Sequence, residues 1–442
     1  MSERVVDTSI DPLTRLYRVC NPSESLEPDD PRYTDCDDVR GGSLVRLFER
    51  SLRRVDPLNW EVKVFSGHRG VGKTSELLRL KDMLENPPDS QQPFHVIFAD
   101  VSRTLDLNDL DFPDLLVFTA AEVQRQLQEA KIPGFSATSV ALRTAWEDFR
   151  RTLKSDVSLS GASVDIPFGS VDVEIRNQPS ARAALRAAIE QQSTNILAAV
   201  NDLLELANVR LRESGCAGLV VIIDGLDKLV RHDLEGGSNT HDRLFIYRSE
   251  QLASLKAHVI YTVPISLFYS PQFAQVEQTF GDRAQPVPMI RLRGDSHSDP
   301  GPDTAGMRKM REMIEKRCRY AGVPMEEVFD SQETCNHLCS MSGGHPRHLM
   351  MLLQSAMVRI DSLPVTRKSV DQAIRTYGNS LLREIPDGFW EKLQKFDSPQ
   401  DDIPKDDDHQ QMLLLLHIFE YMNGEPWWEV NPVIRALPKF RR

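Results

Sequence analysis

Nowhere does the 442-residue sequence run through about 18 consecutive apolar side chains, so no segment is expected to span a membrane. The opening stretch, MSERVVDTSIDPLTRLYRV, lacks the charged-then-apolar pattern of a secretory signal. Cysteine is scarce: six residues scattered along the chain make no disulfide framework, which fits a reducing, cytoplasmic setting. Positive charge is also short. With 53 Lys and Arg against 65 Asp and Glu, the net charge of −12 argues against a protein that coats nucleic acid, because phosphate neutralisation needs clustered basic residues. A local basic patch presented by an oligomer is not excluded by that balance. Neither a guanine-selective N-K-x-D motif nor a Ser-His-Asp, nuclease or protease-zinc motif is found. What remains is 40% apolar and 27% charged, the balance of a soluble globular protein long enough for two or three domains.

The pattern along the chain predicts a parallel α/β fold. Residues 1–37 are polar and turn-rich. Residues 38–295 then alternate helix and strand patterns. SLVRLFERSL reads as an amphipathic helix with Leu44, Leu47 and Leu52 on one face, and EVKVF (Glu61–Phe65) as a short strand. Further strands are expected at FHVIFADV, GLVVIIDGLD, HVIYTVP and PVPMIRL, with helices from Pro113 to Ala130 and from Ala181 to Arg212. Alternation of apolar and polar residues from Val157 to Ile175 suggests a β-hairpin insertion. After the loop GDSHSDPGPDTAG, residues 303–385 read as all-helical. An acidic, proline-containing linker then leads to a small, α-rich C-terminal unit at 408–442. Strands alternating with helices imply a parallel sheet covered on both faces.

The chemistry concentrates in VFSGHRGVGKTSELLRL. Gly67-His68-Arg69-Gly70-Val71-Gly72-Lys73-Thr74 fits the phosphate-loop pattern G-x-x-x-x-G-K-[ST], with Ser75 following. The glycines let backbone N–H groups converge on phosphate oxygens at the positive end of the next helix. Lys73 is expected to reach the β- and γ-phosphates, and the Thr74 hydroxyl to hold Mg²⁺. In LVVIIDGLD, a buried strand ends in Asp224, positioned for the Mg²⁺ shell. Asp227, three residues on, is placed to orient or deprotonate an attacking water, or to cap a helix, or both. SMSGGHPR superficially matches the ABC-ATPase signature but lies far after the acidic strand instead of shortly before it.

Gly343-Gly344-His345-Pro346-Arg347 opens a helix, with Pro in its first turn, inside the all-helical region. With that feature added to the loop and the acidic strand, the chain resembles the AAA+ and STAND ATPases, particularly the origin-recognition-like branch, over roughly Asp38 to Ile385. The D-G-L-D form of the acidic motif looks more like NACHT and other STAND proteins than like the Asp-Glu pair of AAA+ enzymes, and implies slow or partner-stimulated hydrolysis. The resemblance implies a phosphate-loop ATPase core followed by a helical lid. It assigns Arg347 to the lid arginine, sensor 2, that touches the γ-phosphate. It also assigns Val39-Arg40-Gly41 to the turn lining the adenine pocket, and Thr262 to sensor 1 between the acid and the phosphate; an ordinary strand residue is the alternative for Thr262. An arginine finger from a neighbouring subunit falls on Arg283, with Arg248 and Arg291 as rivals. Arg69 either meets a neighbour or is solvated.

Other features have milder readings. Cys335, Cys339, His337 and Cys318 suggest zinc only weakly, since no second C-x-x-C pair accompanies them; buried helix cysteines fit better. Trp427 and Trp428 make either a docking patch or internal packing. Three functions are compatible with ATP and Mg²⁺ as cofactors. The first is an oligomerising switch that controls a separately encoded effector, as STAND-like ATPases do in prokaryotic defence and signalling. The second is a DNA-handling initiator or transposition regulator, although the tail offers only two helices' worth of sequence where such proteins carry a basic winged helix. The third is a small-molecule phosphotransferase, which the lid and paired sensors disfavour.

Overall fold

The computed structural model describes residues 9–88, 90–130, 197–234, 237–280, 285–294 and 301–441. The hairpin expected at 157–175 and the finger candidate Arg283 lie outside the described residues. The chain forms two compact units, one of Val45–Ser66 and Leu80–Gln285, the other of Met1–Leu44, Gly67–Arg79 and Pro286–Arg442. They are called the sheet unit and the loop unit below.

The strands are β1 (Val62–Gly67), β2 (His95–Asp100), β3 (Leu219–Asp224), β4 (His258–Thr262) and β5 (Pro286–Val287), in the order β2-β3-β4-β1-β5. In the sheet unit, β2 pairs with β3, β3 with β4 and β4 with β1, all in parallel. Every residue of β1, β3 and β4 is buried, and β3 and most of β4 accordingly read as apolar runs rather than alternating ones, whereas β1 buries Lys63 and Ser66 as well. The register sets Asp100 opposite Asp224 and Phe65 opposite Thr262, so the carboxyl ends of neighbouring strands finish together. In open parallel sheets that is the edge where ligands bind.

Helices pack on this sheet with caps their sequences encode. Phe112–Glu129 starts at a capping box of Asp111 and Asp114, with Pro113 in its first turn. Residues 197–213 are helical, and Asn208 from that helix accepts the Leu219 N–H at 2.8 Å, tying it to the start of β3. The helix Leu44–Arg54 buries Val45, Phe48 and Leu52 and leaves Leu47 58% exposed. Its apolar stripe is therefore turned from the expected Leu44–Leu47 face, because Phe48 edges onto Phe65 of β1 with ring centroids 5.5 Å apart.

The loop unit is helical over Ala305–Ala321, Gln332–Met341, Pro346–Met357 and Arg367–Glu384. Thr304, Ser331, His345 and Thr366 cap these four N-termini with their side chains. The tail departs from the α-rich expectation. After the helix Asp407–Leu414, the chain forms an antiparallel hairpin of β6 (Ile418–Asn423) and β7 (Glu425–Val430). Aromatic and β-branched residues flank an Asn423-Gly424 turn, and Tyr421 stacks on Trp427 across the strands with centroids 4.3 Å apart. Trp427 and Trp428 are 2% and 6% exposed, so they pack internally.

Candidate functional site

The loop unit holds the glycine loop. It leaves β1 at Gly67 and enters the helix Lys73–Glu85, called here the loop helix, whose Leu77, Leu80 and Leu84 are buried while Leu78 is half-buried. Lys73 is 5% exposed, and its ammonium donates to the carbonyls of Gly67 at 2.8 Å and His68 at 2.9 Å. A cation thus sits inside a ring of backbone at a helix N-terminus, the arrangement that receives anions. Gly70 has φ +91°, and a Cβ there would lie 2.8 Å from His345 Cε1 and 2.9 Å from Arg347 Cβ and Cδ. The left-handed backbone and the close approach both require glycine.

Arg347, assigned to sensor 2 by the resemblance, therefore packs against Gly70 of the loop, with its Nε donating to the Pro22 carbonyl at 3.2 Å. Arg40 also reaches the loop: its Nη2 donates to Val71 O at 2.6 Å and its Nη1 to Glu76 at 3.4 Å. Arg79, one turn further along the loop helix, grips Asp37 through two hydrogen bonds at 2.8 and 3.0 Å. Gly41 is exposed, and a Cβ on it would approach Met422 Cγ at 3.0 Å. Arg69 is exposed, in line with a solvated side chain, whereas Val71 is buried and Thr74 half-buried. The Ser75 hydroxyl accepts the Leu26 N–H at 2.9 Å, so its side chain holds the N-terminal segment.

Two histidines that the motif does not specify back the loop. His68 is fully buried. Its Nε2 accepts the Glu420 N–H at 2.9 Å, which leaves the ring proton on Nδ1 to donate to Leu413 O at 3.2 Å. Burial first, and the neighbouring Lys73 charge second, push its pKa down to about 3. His345 caps the helix Pro346–Met357 by accepting the His348 N–H at 3.0 Å on Nδ1, so its Nε2–H donates to the Arg69 carbonyl at 2.9 Å. Its pKa is also held well below the usual value, chiefly by burial. Both imidazoles are neutral clamps on the loop backbone. In the sequence His68 stands at an unspecified position of the loop motif, and His345 stands next to Arg347.

The sheet unit holds the acidic residues. Asp224 ends β3 and is 2% exposed, with its Oδ1 accepting the Gly225 N–H at 2.8 Å. Gly225 has φ +90°, and a Cβ there would come within 2.6 Å of Asp100 Oδ1, so only glycine turns the chain here. Asp227 lies within the 3₁₀ turn Leu226–Lys228; Gly225, not Asp227, occupies the cap. The Thr262 hydroxyl accepts the Leu226 N–H at 3.1 Å and donates to Ile223 O at 3.4 Å. It thereby fixes the turn that carries Asp224 and Asp227. Asp100, at the matching end of β2, is a further acid at this edge, and its sequence signal is that FHVIFAD also ends in acid. Its Oδ1 accepts from the Ser102 hydroxyl at 2.6 Å, and Lys228 donates to that hydroxyl at 2.9 Å.

The remaining candidates divide between the units. Arg248 follows the π-helical turn Arg243–Tyr247 in the sheet unit, and Arg291 donates its N–H to Val39 O at 3.2 Å in the loop unit. Cys318, Cys335 and Cys339 are buried in their helices. Among the described residues no helix is long and apolar enough to cross a membrane.

A parallel five-stranded sheet, a glycine turn joining β1 to the loop helix and a helical C-terminal region together define an α/β fold of the phosphate-loop kind. Compared with known proteins, the chain matches no protein family and no curated protein. Among solved structures it is similar in trace to a Walker-type ATPase of Pyrococcus abyssi, at 13% identity and a TM-score of 0.45 over 96% of this chain and 100% of that one. Cdc6 of Pyrobaculum aerophilum follows at 11% identity and a TM-score of 0.40, over 96% of each chain. Orc1 of Aeropyrum pernix, solved in complex with DNA, aligns at 15% identity and a TM-score of 0.38, over 94% of each chain. Similarity at this level describes the course of the chain; residue roles rest on the geometry above.

Proposed function

We propose that this chain binds and slowly hydrolyses ATP, and uses the nucleotide as an oligomerising switch that controls a partner effector. The observation that carries the reading is Arg347 lying across Gly70, with the Lys73 ammonium held inside the same loop. One loop then offers backbone N–H groups, a lysine and a lid arginine to a polyphosphate. Thr74 and Asp224 are the residues that would hold Mg²⁺, which supplies neutralising charge to the phosphates. Asp227 would orient or deprotonate the attacking water, with Thr262 fixing its turn, and Arg40 would steady the loop beside the nucleotide. A finger from a neighbouring copy, Arg283 or one of its rivals, would complete the charge compensation. The acidic motif after β3 carries Asp224 and Asp227 with no Asp-Glu pair, which supports slow turnover.

The competing reading is a DNA-handling ATPase. The tail does contain a hairpin, the element a winged helix lays along a duplex. Its tip, however, is Asn423-Gly424-Glu425, with an exposed acid and without Lys or Arg. That charge opposes contact with phosphates.

Titration calorimetry of wild-type and Lys73→Ala protein with ATP tests the pocket: Lys73→Ala is expected to lose binding, and equal affinities would sink the assignment. Light scattering of Asp227→Asn protein, which should bind ATP but hydrolyse it slowly, tests the switch. A defined assembly with ATP but not with ADP is expected; one mass in both states would contradict it. Turnover stimulated by DNA at physiological salt would favour the competing reading.

A further inference from the structure

Away from the glycine loop, the loop unit contains a cavity of about 240 Å³ between the β6–β7 hairpin and the turn that precedes His345. Arginine dominates it. Arg293 donates to Glu429 through Nε at 3.0 Å and Nη2 at 2.6 Å, and Arg435 Nη2 bonds the same Glu429 oxygen. Asp397, on the exposed side, reaches only Arg435 Nε, at 2.9 Å. Arg441 also lines the cavity, so three guanidinium groups face a single lining carboxylate.

The donors are not all consumed. Among the described residues, Arg441, Arg435 Nη1 and the Ser340 hydroxyl make no hydrogen bond or ion pair, and all three residues line the cavity. Surplus donors and surplus positive charge around a half-open cavity select an acceptor-only, anionic occupant. Guanidinium forks match the planar oxygens of phosphate and carboxylate, and a phosphate takes more of these donors at once. One water needs only about 10–15 Å³ of such volume, so there is room for more than a single ion.

We infer that this cavity is a binding site for a small phosphomonoester, and that occupancy is transmitted to the glycine loop. Both walls lead there. The Tyr421 hydroxyl donates to Gly343 O at 2.7 Å, binding hairpin to turn. Two residues beyond Gly343, His345 donates to Arg69 O; one residue before Tyr421, Glu420 donates to His68. A ligand that moves hairpin or turn moves the loop backbone through those two imidazoles. The transmission half rests on the ATP reading above; the binding half does not.

Inorganic phosphate is the first probe, titrated by calorimetry into Lys73→Ala protein so that the glycine loop does not compete. Saturable binding is expected, with a dissociation constant of about 1 mM or below. Adding Arg441→Ala should weaken it about tenfold, and Ser340→Phe, which fills the cavity, should abolish it. No binding by Lys73→Ala protein, or binding untouched by both second substitutions, overturns the site. Arg441→Ala alters an exposed side chain and decides the matter even should Ser340→Phe not fold. For transmission, saturating phosphate should change the ATP affinity of otherwise wild-type protein by at least about fivefold, and that change should be lost in Arg441→Ala. An equal change in both proteins refutes the coupling and leaves the binding result standing. Failure of wild type to bind ATP would overturn the ATP reading while phosphate binding by Lys73→Ala protein still stood.

Discussion

The buried imidazoles behind the glycine loop make the loop unit sensitive to acid, by an amount that can be worked out. His68 and His348 are each pushed down to about 3, largely by burial, from an ordinary value near 6.5. A folded-state pKa below the unfolded one means the unfolded chain binds more protons, so stability is complete above about pH 6.5 and falls as pH drops toward 3. Between pH 7 and pH 5 each such histidine removes about 2 kcal/mol, or about 4 kcal/mol for the pair. His345 adds a loss in the same direction. Domain stabilities are commonly about 5–15 kcal/mol, so this is a large fraction. Urea unfolding followed by tryptophan fluorescence at both pH values measures it. The informative variant is His68→Gln, whose amide can accept from Glu420 N–H and donate to Leu413 O without titrating. It should reduce the pH 7 to pH 5 loss by about 2 kcal/mol, whatever its absolute stability. A pH dependence identical to wild type would mean that His68 is not a buried neutral group.

Other perturbations address each unit by itself. Gly70→Ala forces a side chain into Arg347 and His345 at a φ of +91°, and should destabilise the loop by about 1–3 kcal/mol and weaken ATP binding measured by calorimetry. Thr262→Val keeps the shape but leaves Leu226 N–H without its acceptor; a loss of about 1–3 kcal/mol in chemical denaturation is expected, with ATP affinity at the glycine loop little changed. Thr262→Ser should restore most of that stability. Leu47→Glu, on the exposed face of its helix, should shift stability by no more than about 0.5 kcal/mol, and a larger loss would mean that the face is covered.

What could be read in the sequence was local. A phosphate loop is a contiguous run whose spacing dictates its backbone, so Gly67 to Thr74 announced themselves, and Asp224 followed from an apolar strand ending in acid. Arg347 could be picked out only because a proline and two glycines mark the start of its helix. Contacts between distant residues left no such mark. Nothing near His68 predicts a bond to Glu420, 352 positions later. The resemblance gives Thr262 a place between acid and phosphate; that its hydroxyl also holds the turn after β3 is visible only once β4 lies beside β3. The tail reads as helical because MLLLLHIFEYM is apolar without a clear period, and the helix-to-strand change occurs inside it; the Asn-Gly pair just beyond is the signal for a hairpin.

The loop unit gathers three stretches of chain separated by long intervals, and that ordering bears on how the protein is made. A ribosome adds about 5–20 residues each second, so Glu420 emerges roughly 20–70 s after His68. Until then the glycine loop lacks the hairpin behind it, the imidazole of His345 on its backbone and the arginine across Gly70. A chain still being translated can fold its sheet, but its loop has no rigid backing. Synthesis thus separates folding of the sheet from completion of the loop in time, because the residues that steady the loop arrive late.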